Sequence, residues 1–247
     1  MSNQMLGFSR RHAGVVQAAS RMRWQGLISP DAPPVVDVHA LTLGFGKREV
    51  VRDVSLCVNA GEAVRLTGVN GAGKSTVLRG IAGAQPWMGG SVTILGHPMD
   101  AEPECTKALL GFSTGTCPFP YLTGAEHLQL AARIHDLAPD AWTWATQRFA
   151  DWACVRALDV EVRTYSHGMR QQLAFLLAVA HQPALLLLDE AVDGLDESSL
   201  TDCGRFLAEA AESGTALIYV AHRDEVAAAF PPAREHRVTP VKTPERT

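Results

Sequence analysis

The chain has 247 residues, a formal net charge of -4 and a hydrophobic fraction of 47%. That length holds one large domain or two modest ones around a substantial core, which argues against a disordered chain. The acidic balance leaves free nucleic acid outside the expected partners.

Residues 1–34 form an N-terminal extension. They carry Arg10, Arg11, Arg21 and Arg23, have no acid before Asp31, and end in the loop-forming stretch Ser29-Pro30-Asp31-Ala32-Pro33-Pro34. Two readings stand for it: a frayed terminus, or a short basic amphipathic helix over Arg10–Trp24 that meets a membrane surface or a partner. It has no continuous apolar stretch, so a secretory leader is not expected. Further on, the apolar runs Leu173–Ala180 and Ala184–Leu188 are separated by His181, Gln182 and Pro183. Neither approaches the ~18–20 residues of a membrane helix. Five cysteines, Cys57, Cys105, Cys117, Cys154 and Cys203, are odd in number with no CxxC pair. They read as reduced thiols of a cytosolic protein.

From Val35 the pattern changes to short β-like runs, Val35–Leu43 and Val50–Val58, with glycine between them. Ala63–Thr67 leads into a glycine-rich turn, and Thr76–Ala82 reads as a helix. Over residues 98–165 the chain turns helical, with helices expected at Ala125–His135 and Ala141–Ala157. Trp142, Trp144 and Trp152 fall on the second of these and read as packing. Leu185-Leu186-Leu187-Leu188 lacks alternation, as a parallel strand buried on both faces should, and Thr215–Val220 is similar. Strands interleaved with helices predict an α/β core around a mainly parallel sheet.

Between the strand at Ala63–Thr67 and the following helix lies Gly68-Val69-Asn70-Gly71-Ala72-Gly73-Lys74-Ser75-Thr76, a match to G-x-x-x-x-G-K-[ST]. Glycines let the backbone curl so that several N–H groups face one anion, and the helix adds the positive end of its dipole. Lys74 is placed to reach the β- and γ-phosphates of ATP, and the Ser75 hydroxyl to bind Mg²⁺. The strand at Ala184–Leu188 ends in Asp189-Glu190, two carboxylates at the end of a buried strand where open α/β sheets bind ligands. Asp189 is placed to orient Mg²⁺ and Glu190 to polarise the attacking water.

Tyr165-Ser166-His167-Gly168-Met169-Arg170-Gln171-Gln172-Leu173 resembles the signature motif of ABC (ATP-binding cassette) ATPases, whose usual form is Ser-Gly-Gly-Gln. The form with Met in the last place is similar to that of many exporter-type subunits. Ser166 and Gly168 open a helix over Met169–Ala180, again an anion-ready terminus. The resemblance implies that Ser166, Gly168 and Met169 meet the γ-phosphate of ATP held by a second subunit. Asp193-Gly194-Leu195-Asp196 resembles the D-loop, which brings Asp196 to the dimer interface. His222 falls at the family's switch histidine, and Phe45-Gly46 resembles the aromatic turn that stacks on adenine. The likeness runs over about Val35–Val226.

Two further departures from the pattern matter. The glutamine usual after the strand near Gly111-Phe112 is missing from Ser113-Thr114-Gly115-Thr116-Cys117. Either Thr114 or a water substitutes for it, or the site couples differently. The proline usual after the catalytic glutamate is Ala191.

The resemblance implies a P-loop NTPase core of RecA type, an antiparallel β region near residues 35–65, and the ABC helical subdomain near 98–165, all within one ATPase domain over 35–247. It implies an ATPase, active as a homodimer or heterodimer, that powers a separate integral membrane permease from the cytoplasmic face, with export favoured. The rivals are a soluble mechanical ATPase and a regulatory cassette. Only a short span separates Lys74 from Ser166, which leaves no room for the long coiled-coil insertion of many mechanical members. Intact Lys74, Asp189, Glu190 and His222 oppose a non-catalytic cassette, while the missing glutamine favours it.

Overall fold

The computed structural model describes residues 32–138 and 140–241. The reading of Arg10–Trp24 as a helix therefore lies outside the described residues.

Among the described residues, nine strands divide into two sheets. β1 (Val36–Phe45), β2 (Arg48–Val58), β4 (Trp87–Ile94) and β5 (His97–Pro98) form an antiparallel sheet in the order β2-β1-β4-β5. β3 (Ala63–Thr67), β6 (Leu110–Ser113), β7 (Leu185–Asp189), β8 (Ala216–Val220) and β9 (Ala233–Arg237) form a parallel sheet in the order β6-β7-β8-β3-β9. Every residue of β7 and β8 is buried, which accounts for their lack of polar alternation. β9, Ala-Arg-Glu-His-Arg, lies at the sheet edge and carries its charges outward, apart from a half-buried His236. The antiparallel region is wider than 35–65, because the strands up to Pro98 join it while β3 leaves it for the parallel sheet.

Among the described residues, eight α-helices surround the sheets: α1 (Lys74–Ile81), α2 (Pro103–Leu109), α3 (Gly124–Ile134), α4 (Thr143–Arg148), α5 (Ala153–Arg156), α6 (His167–Val179), α7 (Glu197–Glu212) and α8 (Asp224–Ala229). One core sits between the two sheets around α1, with Leu41, Val51, Leu78, Ile81 and Ile218 in it. A second lies on the other face of the parallel sheet beneath α6, where Phe149, Trp152, Phe175 and Tyr219 are buried.

α3 begins with a capping box: the Thr123 hydroxyl accepts from the Glu126 N–H at 3.2 Å and the Glu126 carboxylate accepts from the Thr123 N–H at 2.8 Å. The helix expected over Ala141–Ala157 is instead two short helices. Phe149 and Trp152 both turn into the core, their rings 4.3 Å apart, and the Trp152 indole N–H donates to the Asp202 carboxylate at 3.2 Å. The chain leaves helical geometry at Phe149 (φ -111°, ψ 34°) and at Trp152 (φ -68°, ψ 138°), which separates the two helices. Residues 98–165 are also not wholly helical, since β6 belongs to the parallel sheet.

Candidate active site

The carboxyl ends of β3, β7 and β8 converge on one edge of the parallel sheet, where open α/β folds place their ligands. β3 runs into Gly68–Gly73, and this loop opens α1. Gly68, Gly71 and Gly73 have φ of 145°, 78° and 99°, values that side chains rarely adopt. At Gly73 a Cβ would overlap the Val51 side chain of β2, so glycine is required there twice over. Lys74 is buried, and its ammonium donates to the carbonyls of Gly68 at 3.0 Å and Val69 at 3.3 Å, which holds the cation over the loop. Asn70 and Gly71 lie exposed at the loop tip, Ala72 is buried, and Thr76 continues the first turn of α1.

The Ser75 hydroxyl donates to Asp189 Oδ1 at 2.8 Å, joining α1 to the end of β7. Burial pushes the Asp189 carboxyl above the usual aspartate range, the Ser75 hydroxyl opposes that shift, and the neighbouring Glu190 reinforces it. One hydroxyl and one carboxylate held together at a phosphate loop are hard oxygen donors that fit a magnesium ion. Glu190 sits one residue beyond β7 with φ 53°, and its carboxylate lies 2.6 Å from His222 Nε2 at the end of β8. Both side chains are about half exposed. Lys74, Ser75, Asp189, Glu190 and His222 thus line one edge of the sheet.

Other expected residues lie elsewhere. Ser166 caps α6, its hydroxyl accepting from the Met169 N–H at 3.2 Å, and Gly168 follows in the first turn. Among the described residues, no hydrogen bond joins this helix head to Gly68–Thr76. Asp196 caps α7, accepting from the Ser199 N–H at 2.8 Å, and that bond holds its carboxyl below the usual range. Phe45 is at the β1–β2 turn, 62% exposed, with its ring free to stack. In the segment without glutamine, Thr114 bonds to Thr116 at 2.8 Å and the Ser113 hydroxyl accepts from the Gly115 N–H at 3.2 Å.

Sequence reasoning passed over Arg223, which donates to the Asp193 carbonyl at 3.0 Å, and Gln171, whose carbonyl accepts from the Gly194 N–H at 2.8 Å. Neither carried a periodic or spacing signal. Their partners are backbone atoms about 20 to 30 residues away, which a motif does not display.

A glycine loop closing a buried strand onto a helix, with an acidic pair at the end of a neighbouring parallel strand, defines a P-loop nucleotide-binding protein. The family model for ABC transporters matches residues 51–193, more than half of the chain. The chain belongs to that family and carries its ATPase domain. It is 36% identical over 194 residues to the ABC transporter ATP-binding protein YdbJ of Bacillus subtilis (strain 168), a match covering 77% of this chain and 62% of that protein. It is 32% identical over 166 residues to the Nod factor export ATP-binding protein I of Sinorhizobium fredii, covering 65% of this chain and 48% of that one. The chain therefore spans about half to three-fifths of the length of these relatives. A solved ATP-binding subunit of an ABC transporter matches it with a TM-score of 0.76 at 26% identity, covering 83% of this chain and 86% of that one.

Proposed function

We propose that this chain binds MgATP and hydrolyses it as the nucleotide-binding subunit of an ABC exporter. The observation that carries this reading is the meeting of Lys74, Ser75, Asp189, Glu190 and His222 at one edge of the parallel sheet. Backbone N–H groups of the glycine loop and the α1 dipole receive the phosphates, and Lys74 leaves the loop carbonyls for the β- and γ-phosphate oxygens. Ser75 and Asp189 would hold magnesium, which would supply charge neutralisation for the phosphate oxygens. Glu190 accepts hydrogen-bonding from the attacking water and takes its proton. His222, already on the Glu190 carboxylate, keeps that carboxylate aimed and stands close to where the γ-phosphate would lie. Phe45 stacks on the adenine. The balanced reaction is ATP + H₂O → ADP + phosphate.

Ser166, Gly168, Met169 and Asp196 complete this site from a second copy. One chain carries both a phosphate loop and a signature-like segment, so two copies related by a two-fold axis complete each other twice. Among the described residues no helix is long and apolar enough to cross a membrane. In this reading a separate membrane subunit provides the path, and the chain sits against it from the cytoplasmic side. The stretch Phe112–Thr123 supports that docking: Phe119 is 48% and Tyr121 75% exposed, beside a groove of about 200 Å³ lined by Phe112, Leu130 and Ile134. The Met169 form of the signature and the export relative support the outward direction.

The test is phosphate release by purified protein with and without Mg²⁺, together with recovery of the tagged chain from membranes. Mg²⁺-dependent turnover and co-purification of an integral membrane protein are expected. Turnover with no integral membrane protein recovered alongside the tagged chain would turn the reading toward a soluble mechanical ATPase.

A further inference from the structure

The loop that follows Glu190 does not stand alone. Gln171 is buried on α6, and its side-chain carbonyl accepts from the Gly194 N–H at 2.8 Å. One turn earlier on the same face of α6 is His167, which replaces the usual first glycine of the signature. A Cβ at position 194 would lie 2.7 Å from Gln171 Oε1, 2.7 Å from His167 Cδ2 and 2.9 Å from His167 Nε2. Position 194 is therefore open only to glycine while these two side chains keep their places. The other side of Gln171 faces Gly115, where a Cβ would stand 3.2 Å from both Gln171 Cγ and Nε2. Gly115 belongs to the segment after β6 in which the usual glutamine is missing. From Gly194 the link continues inward: the Asp193 N–H donates to the Glu190 carbonyl at 3.3 Å, and Arg223, next to His222, donates to the Asp193 carbonyl at 3.0 Å.

We propose that Gln171 is a positioning residue for hydrolysis: with His167 beside it, its amide clamps the Asp193–Asp196 loop to the head of α6 and thereby sets Glu190 and His222. This rests on the hydrolytic reading above. Gly194 is exposed, so water can take over its N–H when Gln171 is removed, and stability changes little. What is lost is the fixed register between the signature and the residues that face the attacking water, and a small displacement there is costly in rate. Because Gly115 leaves little room for a side chain on the other side of Gln171, one buried amide lies between three segments, and it does so in a chain whose 113–117 segment has no glutamine of its own.

The experiment compares Gln171→Ala, Gln171→Glu and Gly194→Ala by steady-state ATPase kinetics, thermal midpoint and hydrogen exchange over residues 190–197. Gln171→Ala should lower kcat by about 10–100-fold, within the cost of a small misplacement, with KM for ATP and the thermal midpoint nearly unchanged and faster exchange at the Gly194 amide. Gln171→Glu keeps an acceptor oxygen and should recover most of kcat. Gly194→Ala must displace both Gln171 and His167 and should also lower kcat, and adding Gln171→Ala to it should cost less than the two separate losses combined, because both disturb the same contact. A kcat within about twofold of wild type in Gln171→Ala, additive losses in the double variant, or unchanged exchange at Gly194 would overturn the clamp. If the wild type itself shows no turnover, the hydrolytic reading falls instead, and exchange at Gly194 still decides whether the clamp exists.

Discussion

The Glu190 carboxylate and the His222 imidazole lie 2.6 Å apart, although they stand beyond the ends of two different strands, β7 and β8. These strands are adjacent and parallel in register, with Asp189 opposite Val220, which brings both side chains to the same edge. Glu190 holds φ 53° there, a conformation costly for a residue with a side chain, and its N–H is fixed by the Val220 carbonyl at 3.1 Å. Removing the base while keeping its shape separates chemistry from binding. Glu190→Gln should lower kcat by about 10²–10⁴-fold with ATP affinity retained, measured as phosphate release alongside nucleotide titration. Unchanged turnover would take Glu190 out of the mechanism.

Lys74 and Ser75 act at the phosphate end. The Lys74 ammonium is already held at the loop by two carbonyls, so its loss removes a preplaced cation. Lys74→Ala should weaken ATP binding at least tenfold, by about 1.4 kcal/mol or more, in keeping with charge-assisted hydrogen bonds of about 1.5–3 kcal/mol. Ser75→Ala should leave ATP binding without metal nearly intact and raise the Mg²⁺ concentration needed for turnover. Equal MgATP affinity in both variants and the wild type would mean that the loop is not the nucleotide site.

Asp189 carries a pH prediction. Its folded pKa is raised above the unfolded value, mainly by burial, so the ionised carboxylate costs stability at neutral pH. That cost shrinks as pH falls through the raised folded pKa and is gone below the unfolded one. Asp189→Asn, which still offers an oxygen to Ser75, should therefore raise the nucleotide-free melting temperature at pH 7 and lose this advantage in acid. The same variant should lose Mg²⁺-dependent turnover. Thermal melts across pH without nucleotide test the first part, and a lower melting temperature at pH 7 would contradict it.

Gly111 tests the packing that supports the site. In β6 a Cβ at this position would run into the Ala178 carbonyl of α6. Gly111→Ala must push the strand and helix apart and should cost about 1–3 kcal/mol of stability, as overpacking does. Denaturant unfolding measures it, and a neutral result would show that this interface yields freely.

The sequence made the strongly marked elements plain. β3 was legible to the residue because a short apolar run meets the glycine loop, and β7 because four leucines precede an acidic pair. The edge strand β9 was not, since its arginines, glutamate and histidine give no apolar pattern, and its register comes from pairing with β3. The α4–α5 break was hidden as well: helical spacing continues through Phe149 and Trp152, and only tertiary burial and Asp202 pull them out of line. At the site, motif spacing singled out Lys74, Ser75, Asp189, Glu190 and His222, which the fold brings to one sheet edge. The relation among Gln171, Gly194 and Gly115 was not legible, because it is one hydrogen bond and a steric fit across three segments.

The most direct test of the account is the mass of the Glu190→Gln protein in solution, by light scattering, without nucleotide and with saturating MgATP. Among the described residues no hydrogen bond joins the phosphate loop to the Ser166 helix head, so ATP should be covered only by a second copy. The account predicts a monomer that doubles in mass on MgATP addition, and a return to monomer when Ser166→Arg puts a bulky cation at the head of α6. A monomer at every MgATP concentration, or a dimer indifferent to Ser166→Arg, would contradict it.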